Sequence, residues 1–496
     1  MLGWFFKEKP AGRYLRWGRV SFALIIAISA ADYLFESVYN PIGRDLQPQR
    51  ARQYLDSIQA TTEKAQRPNI VIILADDLGY GDLSITGSKA IATPNIDTLA
   101  AQGTLFSNYY SPSPVCSPSR AGLLTGRYPT RAHVPTVFLG ADDLTYTIAN
   151  RAMLITNIYS YDMEAIAHDE ILLSETLQAG GYRTALFGKW HLGQREGDRP
   201  NDYGFDNFYG ALYSNDMKPY AIYRNRDIAI KAPADQSLLT RKLTAEAINF
   251  IEENNTRPFF LYYASPFPHN PANASSGFRG SSRGGIYGDA VQELDWSIGE
   301  IIKTLKQCGL DRNTLVLFTS DNGPWFQGDP GPFRGRKGNS FSGGQRVPLI
   351  AWMPGTVPQN QQLKQLVSGL DIFPTVLDLA SIPLPRDRVI DGHSLLRDFA
   401  GSAALSDERE FVLLNGKDIK GLVTNKYIYL RKSAAENATY SMFQQGPFLF
   451  DPTNDPAQSY NLTTLYPDIA DQYASRLDEI EKSMRSNLRG WIVTNQ

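Results

Sequence analysis

The chain has 496 residues, 42% of them hydrophobic and 20% charged, and carries a formal net charge of -2 at pH 7. That balance describes a globular protein of two or more domains and excludes a disordered or polytopic membrane chain. A near-neutral charge gives no basis for nucleic acid as a partner, which would favour a strongly basic domain, so a small-molecule partner is expected.

The first element in chain order is an export-like terminus. Lys7, Lys9, Arg13, Arg16 and Arg19 precede the apolar run Val20–Ala31, which Asp32 interrupts before Tyr33–Phe35. Basic residues followed by apolar ones are the order of a targeting segment, and the run is shorter than the about 20 residues that span a bilayer. Residues 1–31 therefore read as a signal peptide or an N-terminal membrane anchor, with membrane attachment through residues 20–35, and residues 32–67 as a polar linker or stalk. The protein is expected to be exported. Scarcity of cysteine favours a bacterial periplasm or envelope, with the secretory or lysosomal pathway as the alternative. The sequons at Asn254, Asn273, Asn437 and Asn461 would suit that alternative.

After Pro68 strands and helices alternate. "NIVIILADD" is a continuous β-branched run, expected as a parallel strand buried on both faces, and it ends in Asp76 and Asp77. "TPNIDTLAAQG" carries Thr93 at an N-cap, Pro94 in the first turn and Gly103 as a stop, which predicts a helix. "YRTALFGKWHLG" runs into Lys189 and His191, "RPFFLYYASPFPH" into His269, and "TLVLFTSDNG" into Asp321 and Asn322. Ligands of open α/β sheets bind at the carboxyl ends of the strands, so these residues are expected to line one cleft. Three Asp and one Asn offer hard oxygen ligands suited to Ca²⁺ or Mg²⁺. Cys308 closes an amphipathic helical pattern that stops at Gly309. Cys308 reads as a small, partly buried thiol; a Cys116–Cys308 disulfide, the one bridge the composition allows, is the lesser alternative.

Beyond about residue 380 the texture changes. "DGHSLLRDFAG" reads as a crossover helix, "REFVLLNGKDIKGLVTNKYIYLRK" as short antiparallel strands, "FLFDPTNDPAQSYNLT" as turns, and "YPDIADQYASRLDEIEKSMRSNLRGWI" as a long amphipathic helix. No internal repeat is visible.

Cys116-Ser117-Pro118-Ser119-Arg120, trailed by Leu124-Thr125-Gly126-Arg127, closely resembles the sulfatase signature C-x-P-x-R with its L-T-G-R companion. The resemblance extends from about Asn69 to "LFDPTNDPAQSYNLT". It implies the alkaline phosphatase-like α/β fold: a large mixed, mostly parallel sheet flanked by helices, with a smaller C-terminal α+β subdomain holding an antiparallel sheet. The catalytic domain would cover residues 68–385 and the subdomain residues 386–496.

The same resemblance implies an arylsulfatase-like sulfuric ester hydrolase in which Cys116 is oxidised to formylglycine. A formylglycine-generating or anaerobic sulfatase-maturing enzyme is then a required partner. Asp76, Asp77, Asp321, Asn322 and the modified Cys116 would hold a divalent cation, Ca²⁺ or Mg²⁺. Arg120 would orient the nucleophile, His269 with Lys337 would protonate the departing alcohol, and Lys189 and His191 match the family's K-x-H element. Sulfate oxygens shield sulfur with negative charge, which is why a cation and several Lys, Arg and His donors are needed. Amides of the helix expected after Ser119 would add to that field. The substrate would be a small-molecule or saccharide sulfate ester. A phosphonate monoester or phosphodiester hydrolase, which uses the same formylglycine signature, and an inactive binding protein on the same fold are the alternatives. His168 and His393 read as structural, His133 as a loop residue with a place near the substrate as the alternative, and the aromatic cluster Tyr203–Asp216 as core with a substrate wall as the alternative. Segment 131–171 exceeds the family's usual short loop and would serve as a lid, a membrane-touching hairpin or a dimer contact.

Overall fold

Asn69–Asp76 forms strand β1, buried at every position, because a β-branched run pays no penalty in a pleated strand covered on both faces. In this computed structural model, residues 46–61, 67–140, 165–399, 409–431 and 446–492 are described. The chain divides into two compact units, Met1–Gln47 and Pro48–Gln496. All strands of the described residues belong to the second unit.

Further strands come after β1: β2 (Thr104–Phe106), β3 (Tyr109–Tyr110), β4 (Arg183–Lys189), β5 (Asn207–Ala211), β6 (Ile222–Arg224), β7 (Asp227–Ile230), β8 (Phe259–Pro268), β9 (Thr314–Ser320), β10 (Leu349–Trp352), β11 (Gln361–Leu363) and β12 (Val367–Ser368). Ten of them build one sheet in the order β11-β2-β10-β9-β1-β8-β4-β5-β6-β7, while β3 and β12 pair separately. The central five, β9-β1-β8-β4-β5, are parallel. Antiparallel partners flank them on both sides. Helices Leu239–Glu253 and Gly285–Gln307 contribute Leu243, Ala247, Phe250, Leu294 and Ile298 to the core that covers this sheet.

A second sheet is built from β13 (Phe411–Asn415), β14 (Asp418–Val423), β15 (Ile428–Leu430) and β16 (Phe448–Phe450), an antiparallel meander. Its core includes Leu477 and Met484 of helix Pro467–Ser486 and also Tyr110, Tyr128 and Phe341 from the preceding part of the chain. The fold is thus the mixed, mostly parallel α/β sheet with a four-stranded antiparallel sheet at its C-terminal end.

Several local expectations change. Pro48–Thr61, read as linker, is a helix whose Ala51 and Ile58 are buried in the main core. "FLF" at 448–450 is strand β16 rather than turn, because Leu449 is fully buried and pairs with Tyr429. The crossover helix is a single turn, Leu396–Phe399. Cys116 and Cys308 are both free thiols, Cys308 half-buried as its helical pattern predicts, and the alternative bridge between them does not form. Asn254 is buried and donates to Phe250 O, which closes that sequon to a glycan. The apolar run 20–35, Asn437 and segment 141–164 lie outside the described residues. Among the described residues, no helix is long and apolar enough to cross a membrane.

Candidate active site

The carboxyl ends of four parallel strands deliver the site. Asp76 closes β1, with Asp77 after it; Lys189 closes β4, and His191 stands two residues on; His269 comes directly after β8; Asp321 and Asn322 come directly after β9. Cys116 is the first residue of helix Cys116–Thr125, whose N-cap is Val115. The helix therefore starts three residues earlier than Ser119, and its orphan amides point from around Cys116 itself. Lys337 comes from the loop between β9 and β10.

These residues converge. One ligand atom from each of Asp76, Asp77, Cys116 and His269 lies within 4.8 Å of the others, and all four residues are buried. Cys116 Sγ is 3.7 Å from Asp76 Oδ1. Lys189 Nζ is 2.6 Å from Asp76 Oδ2, Lys337 Nζ 2.8 Å from Asp77 Oδ1, and Arg120 Nη2 2.8 Å from Asp321 Oδ2. Each of the three carboxylates thus has a cation of its own, as burial demands. Arg120 makes its hydrogen bonds to Asp321 and to Lys189 O rather than to Cys116. It ties the signature helix to two strand ends.

Burial pushes the Asp76 carboxyl up, but Lys189, His269 and Arg120 outweigh it and hold the group well below the ordinary range. Burial and the neighbouring Asp76 raise Asp321 despite Arg120. The Cys116 thiol is pushed up to about 12, chiefly by burial, with Lys189 and Lys337 opposing. At neutral pH it is a thiol, not a thiolate, and so a poor nucleophile in its unmodified form.

The donor set fits a hard divalent cation. Asp76 and Asp77 face one another, and Asn322 Oδ1 is buried without a hydrogen-bond partner while its Nδ2 donates to Asp77 Oδ1. An orphaned amide oxygen beside two carboxylates is the kind of ligand Ca²⁺ or Mg²⁺ takes. Asp321 turns one oxygen to Arg120 and the other to the Asp77 amide. His269, assigned to proton transfer by resemblance, stands against the carboxylates, with Nε2 3.6 Å from Asp77 Oδ2.

His191 has its two ring nitrogens distinguished by contacts. His191 Nε2 lies 2.7 Å from Phe138 O. A carbonyl only accepts, so Nε2 carries the hydrogen and the buried, unpartnered Nδ1 keeps its lone pair. Phe138 N in turn donates to Ser117 Oγ, so one residue bridges the signature helix to His191. Asp77 and His191 both adopt left-handed backbone, at φ 63° and 62°, a conformation costly for non-glycine residues and concentrated at functional sites.

Ser214 and Asn215, just past β5, stand out in the sequence only as members of an aromatic cluster. Ser214 Oγ reaches Lys189 Nζ at 3.2 Å and His269 Nε2 at 3.5 Å. Asn215 Oδ1 lies 2.8 Å from His269 Nδ1. The aromatics around them, Tyr203, Phe205 and Phe208, are buried as core. His168 pairs with Asp198 and stacks on Tyr203, away from the cluster. His133 lies beside Arg489 in a separate buried ionic group, and His393 donates its backbone N–H to Asp371.

Known proteins are similar to this chain in sequence and in fold. The family model described as Sulfatase matches residues 68–382. N-acetylgalactosamine-6-sulfatase of Mus musculus is 42% identical over 354 residues, covering 67% of this chain and 66% of the mouse protein; the chain thus spans just under two thirds of that relative's length. Steryl-sulfatase of Homo sapiens is 32% identical over 436 residues, 70% of this chain and 72% of the human protein. Among solved structures, a Bacteroides thetaiotaomicron protein described with a core genetic locus for glycosaminoglycan metabolism superposes with a TM-score of 0.74 at 27% identity, covering 84% of this chain and all (100%) of that one. The phosphonate monoester hydrolase of Agrobacterium radiobacter, at TM-score 0.58 and 21% identity over 84% of this chain and 96% of that one, shares the fold.

Proposed function

As the chain belongs to the sulfatase family, we propose that it is a sulfuric ester hydrolase that cleaves a saccharide sulfate to an alcohol and inorganic sulfate, using a formylglycine made from Cys116. The observation that carries this reading is the convergence of Cys116, Asp76, Asp77 and His269 within 4.8 Å, ringed by Lys189, Lys337 and Arg120. The saccharide class rests on the relative at 42% identity named for N-acetylgalactosamine 6-sulfate.

Asp76, Asp77, Asn322 and Asp321 would hold Ca²⁺ or Mg²⁺, which when bound withdraws charge from the sulfate oxygens. The hydrated aldehyde of formylglycine supplies two hydroxyls where a thiol has one nucleophilic atom, so sulfate release needs no second attack on sulfur. The chain's own residues do the rest. Lys189 and Lys337 bring positive charge to a buried cluster, where it offsets the charge of the sulfate more strongly than in water. His269 Nε2 gives its proton to the alcohol oxygen as the carbon-bearing fragment leaves, and His191 Nδ1, the lone-pair nitrogen, accepts the proton from the side chain at 116 during release of sulfate.

The test combines two measurements on protein made with a formylglycine-generating system. Mass spectrometry of the peptide carrying Cys116 is expected to show the mass loss of thiol-to-aldehyde conversion. Turnover is then compared across a 6-sulfated N-acetylgalactosamine glycoside, an aryl sulfate, a sterol sulfate and a phosphodiester. Hydrolysis of the sugar sulfate ahead of the rest is expected. Preference for the phosphodiester would replace this reading with the phosphonate monoester or phosphodiester hydrolase, and preference for the sterol sulfate would overturn the saccharide assignment alone. Cys116→Ala is expected to abolish turnover while leaving the melting temperature within a few degrees of wild type; wild-type-like rates in that variant would refute the nucleophile.

A further inference from the structure

The hydrogen bonds around Asn215 can be satisfied in one arrangement. Its Nδ2 faces three carbonyl oxygens, His269 O at 3.4 Å, Pro271 O at 3.1 Å and Gln236 Oε1 at 3.1 Å. Carbonyl oxygens accept and never donate, so the amide nitrogen must stand on that side. The Gln236 amide cannot invert without loss, because its Nε2 donates to Asn215 O at 3.0 Å. Asn215 Oδ1 is therefore held towards His269 Nδ1, 2.8 Å away. That oxygen also only accepts, so the hydrogen must sit on Nδ1.

We propose that Asn215, clamped by Gln236, is a positioning residue that locks the His269 imidazole as its Nδ1–H tautomer. Nε2, which faces Asp77 Oδ2 and Ser214 Oγ, is then the only ring nitrogen that exchanges a proton. Asn215 is 3% exposed, so water does not compete for the contact. A serine or threonine in its place would lack either the reach or the second donor face. Gln236 comes from the turn before helix Leu239–Glu253 and Asn215 from the turn after β5, so the clamp joins two elements that share no motif. The inference rests on His269 being the proton donor of the proposed reaction, but the tautomer itself does not depend on any reaction.

The chain has five histidines, few enough for ¹⁵N-histidine labelling to resolve them. In the intact wild-type protein, His269 is expected to show a protonated Nδ1 and, in its neutral form, an unprotonated Nε2, with the signal assigned by its loss in His269→Gln. Asn215→Asp retains an acceptor at the same place and is expected to keep Nδ1–H, whereas Asn215→Leu removes it and is expected to mix the tautomers. An Nε2–H wild-type ring, or an Asn215→Leu ring unchanged from wild type, would overturn the proposal, and the wild-type measurement decides even where Asn215→Leu does not fold. On whichever sulfate ester the wild type turns over, Asn215→Leu is expected to lower kcat at least about tenfold with KM within about threefold, and Asn215→Asp to recover most of the loss. Equal loss in both variants would make Asn215 a packing residue. A wild type inactive on every sulfate ester would defeat the functional reading while leaving the tautomer result standing.

Discussion

At the scale of single residues, the site is a balance of buried charge. Asp76, Asp77 and Asp321 are each 2% exposed or less, and each is matched by a lysine or arginine close enough to offset its desolvation. The leaving-group proton is where the chemistry separates residues most cleanly. His269→Ala is expected to slow sulfates of weakly acidic alcohols, such as sugars, at least about tenfold more than an aryl sulfate with a good leaving group, because an acidic phenol departs without a proton. Equal slowing of both would argue against an acid at this position. Most residue types here were legible in the sequence, since Asp76, Lys189, His269 and Asp321 each stand at the end of an apolar run. Phe138, Ser214 and Asn215 were not, because a backbone carbonyl and two neutral side chains carry no signal until their partners are in place.

At the scale of elements, close approach of strands sets the geometry. Gly188 immediately precedes Lys189, has φ 123°, and a Cβ built on it would stand 1.8 Å from Ala264 O of β8. Gly188→Ala is expected to force β4 and β8 apart, lowering both melting temperature and turnover; a folded, fully active variant would show that the strands tolerate separation. Asp82, in the turn after β1, organises the other rim. It accepts from Gly79 N, Asp329 N and Tyr287 OH, tying the turn after Asp77 to the loop that leads to Lys337. Burial pushes its carboxyl up to about 7, with Tyr287, Asp329 and Gly79 as donors opposing. A pKa above the unfolded value of about 3.9 means that the native state binds the proton more tightly. Its contribution therefore becomes less favourable as pH rises from about 4 to about 7. In denaturation series, the stability of wild type minus that of Asp82→Asn is expected to fall across that window; a flat difference would show that Asp82 ionises normally. The strands were legible as β-branched runs, whereas β16 was hidden because "FLF" is too short to carry a period.

At the scale of the whole molecule, the C-terminal end returns to the signature helix. Arg489 donates to Asp169 and Glu170 at 2.5 and 2.7 Å, and its carbonyl accepts from Arg127, the last residue of the L-T-G-R companion. Arg127, Arg388 and Arg489 also stack on the Trp491 ring at 4.8 to 5.7 Å. Arg489→Met would strip one ion pair from each of the buried Asp169 and Glu170, leaving Glu170 to Arg127, an expected loss of about 3 kcal/mol by equilibrium denaturation; a loss below about 1 kcal/mol would make the latch ornamental. By itself the sequence determined the α/β class, the four strands that end in site residues, the signature and the residue types of the site, because periodicity and motif are local properties. Only the tertiary structure decided that His269 joins Asp76, Asp77 and Cys116, that Arg120 serves Asp321, and that Asn215 holds His269. Those facts are distances between residues far apart in the chain, set by strand register and by which buried polar atoms can satisfy one another.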